Sequence, residues 1–266
     1  MRIRALLLAS VLYLAGGGAP TFASAPEARV LFVGNSQTYV GNLPAVFSAM
    51  ANANGHAVAS DMIVRGGATL TDRLNDGTIA KTLDKRRYVA LVLQERGGDL
   101  ICAFGPRSCT SARASLATIA RMAKAKGVTS IVLLGTYQSA AMPSRALAEQ
   151  EAAAAAEAGI AHVEVSQTLR CVVEAQPSLA WLHADGSHPG KDLTLLKAML
   201  LHRQLFGTLP APRSVLVSAP VYGVQSGLTE TLRAADAPAP KAGTRRAVHF
   251  PAESISLLLD ALASER

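Results

Sequence analysis

Cysteine, aromatic residues and charge are all scarce in this chain of 266 residues, which has three cysteines, one tryptophan and a charged fraction of 17%. Each scarcity removes a class of protein. The cysteines lack the close paired spacing with nearby histidines that a zinc site needs, so no metal is expected. Few aromatics and scattered basic residues make no stacking platform and no basic stripe, which argues against a nucleic-acid partner. No Gly-x-Gly-x-x-Gly turn and no phosphate-binding loop follows a strand, so a nucleotide cofactor has no seat and no cofactor is expected. Beyond the N-terminus no apolar run approaches the roughly 20 residues of a bilayer span. The mature chain is therefore expected to carry no integral membrane span.

The N-terminus reads as an export signal over residues 1–25. Arg2 and Arg4 supply a positive start, Ala5 to Ala15 is uncharged and apolar, and small residues follow up to Ala23 and Ala25, the two candidate cleavage points. The apolar stretch is short for an anchor, and no cysteine stands nearby to take a lipid. Export predicts a periplasmic or secreted protein. With Arg2 and Arg4 removed, 24 basic residues face 19 acidic ones, a formal charge of +5 that suits ordinary solubility. An oxidising compartment favours pairing of Cys102 with Cys109 across a short loop, leaving Cys171 odd and expected to be buried and inert.

Hydrophobic residues make up half of the chain, enough for one well-buried core. Short Val/Ile/Leu runs at 29–34, 57–64, 88–94, 128–135 and 160–165 read as buried strands. Between them lie helical patterns. Leu43, Val46, Phe47 and Met50 recur on one face, residues 111–126 end before Gly127, and an Ala-rich stretch opens at Pro143 and runs to Gly159. Leu193, Leu196, Leu200 and Leu205 predict a closing helix stopped by Gly207. Parallel strands need crossovers, and helices supply them. The expectation is α/β: a three-layer sandwich around a mainly parallel five-stranded sheet of order 2-1-3-4-5. Residues 26–207 would form this domain. Residues 208–266, rich in proline and alanine, would form an extension with a flexible linker at 234–243. Its terminal helix, marked by Ile255, Leu258, Leu259 and Leu262, would dock on the core.

In open α/β sheets, ligands bind at the carboxyl ends of strands near the switch in winding direction. Three polar or glycine clusters fall at such ends: Gly34-Asn35-Ser36, Gly66-Gly67-Ala68-Thr69 and Gln94-Glu95. Ser36 is the candidate nucleophile. A serine hydroxyl needs a base, and Asp185-Gly186-Ser187-His188 offers an imidazole with an orienting carboxylate three residues earlier. The backbone N–H groups of Ser36 and Gly67, with the side-chain amide of Gln94, are candidate donors to a developing oxyanion.

These blocks, in this order, resemble the SGNH (GDSL-like) hydrolase superfamily, in the branch whose first block is Gly-Asn-Ser-x-Thr. The resemblance covers about residues 29–207 and includes Gly34-Asn35-Ser36-Gln37-Thr38, Gly66 to Leu70, Leu91 to Glu95, and Asp185 to Pro189. It implies a flavodoxin-like sandwich and cofactor-free ester hydrolysis, with Ser36 as nucleophile, His188 as base and Asp185 behind it. The wider superfamily takes a third oxyanion donor from an Asn in a Gly-x-Asn-Asp block. That block is absent here, and Gln94 is the substitute.

Plainer roles exist for each residue. Ser36 would cap the following helix, the two glycines would make a turn, and Gln94-Glu95 would end a strand in solvent. His183 is a rival base without a carboxylate three residues earlier, while His56, His162, His202 and His249 sit in ordinary contexts. The expected substrate is a small-molecule or glycan ester, such as a short acyl ester of an envelope or extracellular carbohydrate. The alternatives are a non-catalytic carbohydrate-binding protein on the same fold, and a lipase or thioesterase with an apolar groove beside Ser36.

Overall fold

The computed structural model describes residues 28–138, 140–240 and 244–263; the expected signal segment, residues 1–25, lies outside the described residues. The five apolar runs become strands β1 (Ala28–Gly34), β2 (Val58–Arg65), β3 (Ala90–Leu93), β4 (Ser130–Leu134) and β5 (Ala161–Val163). Helices α1 (Ser36–Tyr39) and α2 (Leu43–Ala53) follow β1, α3 (Leu70–Asn75) and α4 (Thr78–Lys85) follow β2, α5 (Pro106–Ala125) follows β3, and α6 (Ala141–Ala158) follows β4. Then come α7 (Ser166–Ala175) and α8 (Lys191–Phe206). The tail adds β6 (Val215–Val217), β7 (Thr229–Ala234), β8 (Val248–Phe250) and α9 (Ala252–Ala263).

β1 to β5 are parallel and take the expected order, with β1 between β2 and β3. The sheet has six strands, not five. β7, from the tail, pairs antiparallel with β2 and covers that edge. An edge strand presents unpaired backbone groups, and β7 satisfies those of β2. This also corrects the start of the expected linker, where Ala234 ends β7 and Ala235 is held in place. Ala235 is buried, its N–H donates to Ser60 O at 2.9 Å, and its carbonyl accepts from Asn42 Nδ2 at 2.9 Å.

Side-chain alternation along β1 divides the core. Val30 and Phe32 face one layer with α2, α8 and α9, while Leu31 and Val33 face the other with α3, α4 and α5. These are the two helical layers of an α/β/α sandwich. β6 and β8 make a separate two-stranded sheet. α9 buries Ile255, Leu258 and Leu262 and packs on α7. Among the described residues no helix is long and apolar enough to cross a membrane.

Winding proceeds outward from β1 in both directions, so the carboxyl ends of β1 and β3 flank the switch point. Ser36 stands two residues beyond the end of β1.

Candidate active site

A cavity of about 520 Å³ opens at this rim, and its wall includes Ser36, Gly67 and His188. The residue that caps α1 is Asn35, not Ser36. Asn35 is buried, its Oδ1 accepts from Gln37 N at 3.0 Å, and its Nδ2 donates to Ala68 O at 3.1 Å. It thereby fastens the Ser36 turn to the Gly66–Thr69 loop. The Ser36 hydroxyl makes no hydrogen bond among the described residues, so no cap or turn depends on it. The N–H groups of Ser36 and Gly67 likewise have no partner among the described residues. That of Ser36 is one of the unsatisfied donors at a helix start. Gly67 has φ +68°, a conformation that side chains disfavour, and a Cβ there would meet nothing within 4 Å.

Asp185 builds the loop that carries His188. Its Oδ1 accepts from Ser187 N and His188 N, both at 3.0 Å, and its Oδ2 accepts from His188 Nδ1 at 2.6 Å. Gly186, at φ +68°, lets the turn close. These contacts, the two backbone N–H donors first and the imidazole after them, hold the Asp185 carboxyl well below the usual carboxylate range. A carboxylate only accepts, so Nδ1 carries a hydrogen, and in the neutral ring it is Nε2 that holds the lone pair. A bridge between Leu182 and Pro189, together with His183 N donating to His188 O at 3.0 Å, closes the base of the loop. His183 itself is exposed and absent from the cavity wall. Among the described residues, Ser36 Oγ and His188 share no direct hydrogen bond.

A strut joins the two halves of the site. The Ser187 carbonyl accepts from Gln37 Nε2 at 3.0 Å and from Tyr137 Oη at 2.6 Å. Gln37 follows Ser36, so the serine turn and the histidine loop are tied within one residue of each functional group. Lys197 of α8, fully buried, donates to Gln37 O at 3.0 Å and lies 5.5 Å from the Tyr137 ring centre. Burial lowers its amine to about 7. Neither Tyr137 nor Lys197 stands out in the sequence: Tyr137 lies between the strand read at 128–135 and the helix opening at Pro143, and Lys197 lies in a helix read only for its leucines. Tyr137→Phe is expected to lower kcat about tenfold through loss of one short hydrogen bond. KM should stay within a factor of two. Steady-state kinetics with a chromogenic ester checks the split, and an unchanged kcat contradicts it.

Gln94 does not serve as expected. It is 1% exposed and absent from the cavity wall. Its Oε1 accepts from Thr38 Oγ1 at 2.8 Å and its Nε2 donates to Gly135 O at 3.3 Å. The amide is consumed in fixing α1 against the ends of β3 and β4, so it is no oxyanion donor. Arg96 and Gly97, further along the same loop, reach the wall instead. Arg96 is held by Asp99 through contacts of 2.8 and 2.9 Å, with its guanidinium 4.0 Å from the Phe104 ring centre. Cys102 and Cys109 form a disulfide that closes this loop. Cys171 lies outside that bond and, contrary to expectation, is exposed. On α7 its neighbours Leu169 and Val172 take the inward positions.

Glu95 is buried beneath the rim. Its Oε1 accepts from Leu70 N at 3.0 Å and Arg96 N at 2.8 Å, tying the loop after β2 to the loop after β3. Burial pushes its carboxyl up from 4.5 to about 7. The fold therefore favours the protonated form. That stability is fully present below pH 4.5 and is lost as pH rises through about 7. Glu95→Gln keeps an acceptor and removes the titration. Relative to wild type, the variant should gain roughly 2–3 kcal/mol between acid and mildly alkaline pH. Urea unfolding at the two pH values checks this, and parallel behaviour of the two proteins contradicts it.

Solved structures share this architecture. TesA superposes with a TM-score of 0.52 over 66% of this chain and 97% of its own, at 19% identity. A lipase/acylhydrolase from Enterococcus faecalis gives 0.52 over 68% of this chain and 97% of its own, at 16% identity. A DUF4886 family protein from Bacteroides uniformis gives 0.54 over 68% and 84%, at 15% identity. At these identities the likeness is one of fold, and it is the fold that the resemblance in sequence implied. No family model matches the chain, and no curated protein matches it.

Proposed function

We propose that the chain is a serine ester hydrolase working through Ser36, His188 and Asp185. One observation carries the reading. A serine hydroxyl without a structural duty lines the same cavity as an imidazole whose far nitrogen is already held by a carboxylate. In the reaction, Ser36 Oγ attacks the ester carbonyl carbon and its proton passes to His188 Nε2. Charge on the carbonyl oxygen is met by the N–H groups of Ser36 and Gly67. His188 then protonates the departing alcohol, leaving an acyl-enzyme on Ser36. Water, deprotonated by His188, attacks the acyl carbon and releases the acid. Asp185 holds the tautomer and balances the imidazolium. The missing Ser36–His188 hydrogen bond is compatible with this course, because such contacts often tighten only when substrate is bound.

The substrate is a small-molecule or glycan ester. Short acyl esters of an envelope or extracellular carbohydrate are the first to assay, given the export signal read at the N-terminus. A second reading, action on longer acyl chains, is favoured by the apolar part of the cavity wall. Stopped-flow mixing with p-nitrophenyl acetate tests the chemistry. A burst of nitrophenol equal to the enzyme concentration, then a slower steady rate, is expected for an acyl-enzyme. Release at the buffer rate would overturn the proposal and favour a non-catalytic binding protein.

A further inference from the structure

The basic residues look dispersed along the sequence, yet the fold gathers several of them away from Ser36. A hollow of about 560 Å³ is lined by Lys85, Arg86 and Arg87, at and just beyond the end of α4, and by Lys126 at the end of α5. These segments lead into the amino ends of β3 and β4. The cavity holding Ser36 lies at the carboxyl ends of the strands, so the two concavities sit at opposite edges of the sheet. Asp84 is the one acidic residue in the hollow's wall. α5 offers no further counter-charge. From residue 100 to residue 148 the chain has six basic residues and no acidic one.

Internal ion pairs account for half of the cluster. Lys126 meets Asp84 at 2.6 Å, and Arg86 meets the buried Asp61 at 2.7 Å while staying 43% exposed. Lys85 and Arg87 are exposed and have no hydrogen bond or ion pair among the described residues. A structural duty covers Lys85, which stands in the last turn of α4, where a cation suits the helix dipole. It does not cover Arg87, which lies past the end of that helix. Like charges gathered in one hollow repel each other and focus a positive field outward, so an anion from outside the chain is attracted to it.

We propose that this hollow docks an anionic polysaccharide through carboxylate or sulfate groups spaced along its chain. The wall has no aromatic residue on which a nucleobase could stack. It has no exposed large hydrophobic side chain to enter a bilayer, since its Leu83 is only 6% exposed. What it offers is a concave surface edged by cations on long stems, which suits a hydroxyl-rich chain bearing negative charge. The choice of a polysaccharide also rests on the glycan-ester reading of the active site. A polymer held at the far edge would keep its esters at high local concentration near Ser36.

Sodium polygalacturonate, a linear polyuronate, is the probe, with binding followed by titration calorimetry. Its dissociation constant should rise about tenfold between roughly 50 and 200 mM salt. Dextran should not bind. Single-stranded poly-dT, and vesicles of equal parts phosphatidylglycerol and phosphatidylcholine, should bind more weakly than the polyuronate. Reversing two charges in the hollow, with Lys85→Glu and Arg87→Glu together, should weaken polygalacturonate binding at least tenfold. The melting midpoint should stay at its wild-type value. Reversing two exposed charges elsewhere, Arg245→Glu with Arg246→Glu, should weaken binding less than threefold. Equal losses in the two double variants would show that net charge, not the hollow, attracts the polymer, and would overturn the proposal. So would an absence of binding, or tighter binding of poly-dT or vesicles. Docking by a protein that hydrolyses no ester would leave the hollow standing and sink the proposed reaction. Ester hydrolysis without docking would sink the hollow alone.

Discussion

Ser36→Ala and His188→Ala are each expected to lower kcat for ester hydrolysis by at least about 10⁴-fold, and the double variant should be no worse than either single one. The two residues act on one proton, so removing either removes the same event. What remains is the contribution of the oxyanion donors and of substrate binding. The fold should barely register the serine change. Its hydroxyl has no hydrogen bond among the described residues, and the cap of α1 belongs to Asn35. The melting midpoint of Ser36→Ala should therefore lie within about 2 °C of wild type. A large fall in midpoint would mean that Ser36 serves the structure. Multiplying losses in the double variant would mean that the two residues act in separate events.

Asp185→Asn should cost about 10³–10⁴-fold in kcat. The asparagine oxygen can still accept from Ser187 N and His188 N, so the loop keeps its turn. What changes is the group facing His188 Nδ1, now 2.6 Å from Oδ2. An amide there donates, which drives the ring hydrogen to Nε2 and removes the lone pair that would take the serine proton. The imidazolium also loses its balancing charge. Circular dichroism and thermal melting should be near wild type while turnover collapses. A variant that keeps a tenth of its activity would show that the carboxylate builds the loop without supporting the base.

What the sequence revealed and what it hid follow from where the information lies. Ser36, Gly67, Asp185 and His188 were legible because each stands at a strand end or in a tight turn, where spacing and residue type say something about backbone geometry. Strands β1 to β5 were legible because their apolar runs are short, dense and bounded by glycine or charge. β7 was not, since Thr229–Ala234 is an edge strand with little apolar content, and its pairing with β2 spans a long separation along the chain. α7 escaped for a related reason. Its inward residues are interleaved with Arg170, Cys171 and Glu174, which blurs the periodicity. With α7 went the apolar part of the cavity wall and the exposure of Cys171. The error over Gln94 is different in kind. Its position at the strand end was right, but the direction of an amide depends on Thr38 and Gly135, which no pattern in the sequence places beside it. Tyr137 and Lys197 were invisible on the same ground, because a strut between loops exists only once the sheet has gathered them.

Labelling with a fluorophosphonate, followed by peptide mass spectrometry, tests the central claim most directly. The account predicts one phosphonyl group per molecule on the peptide containing Ser36, at a rate that falls by orders of magnitude in His188→Ala and in Asp185→Asn. An unlabelled protein, or an adduct on a different serine, would contradict it.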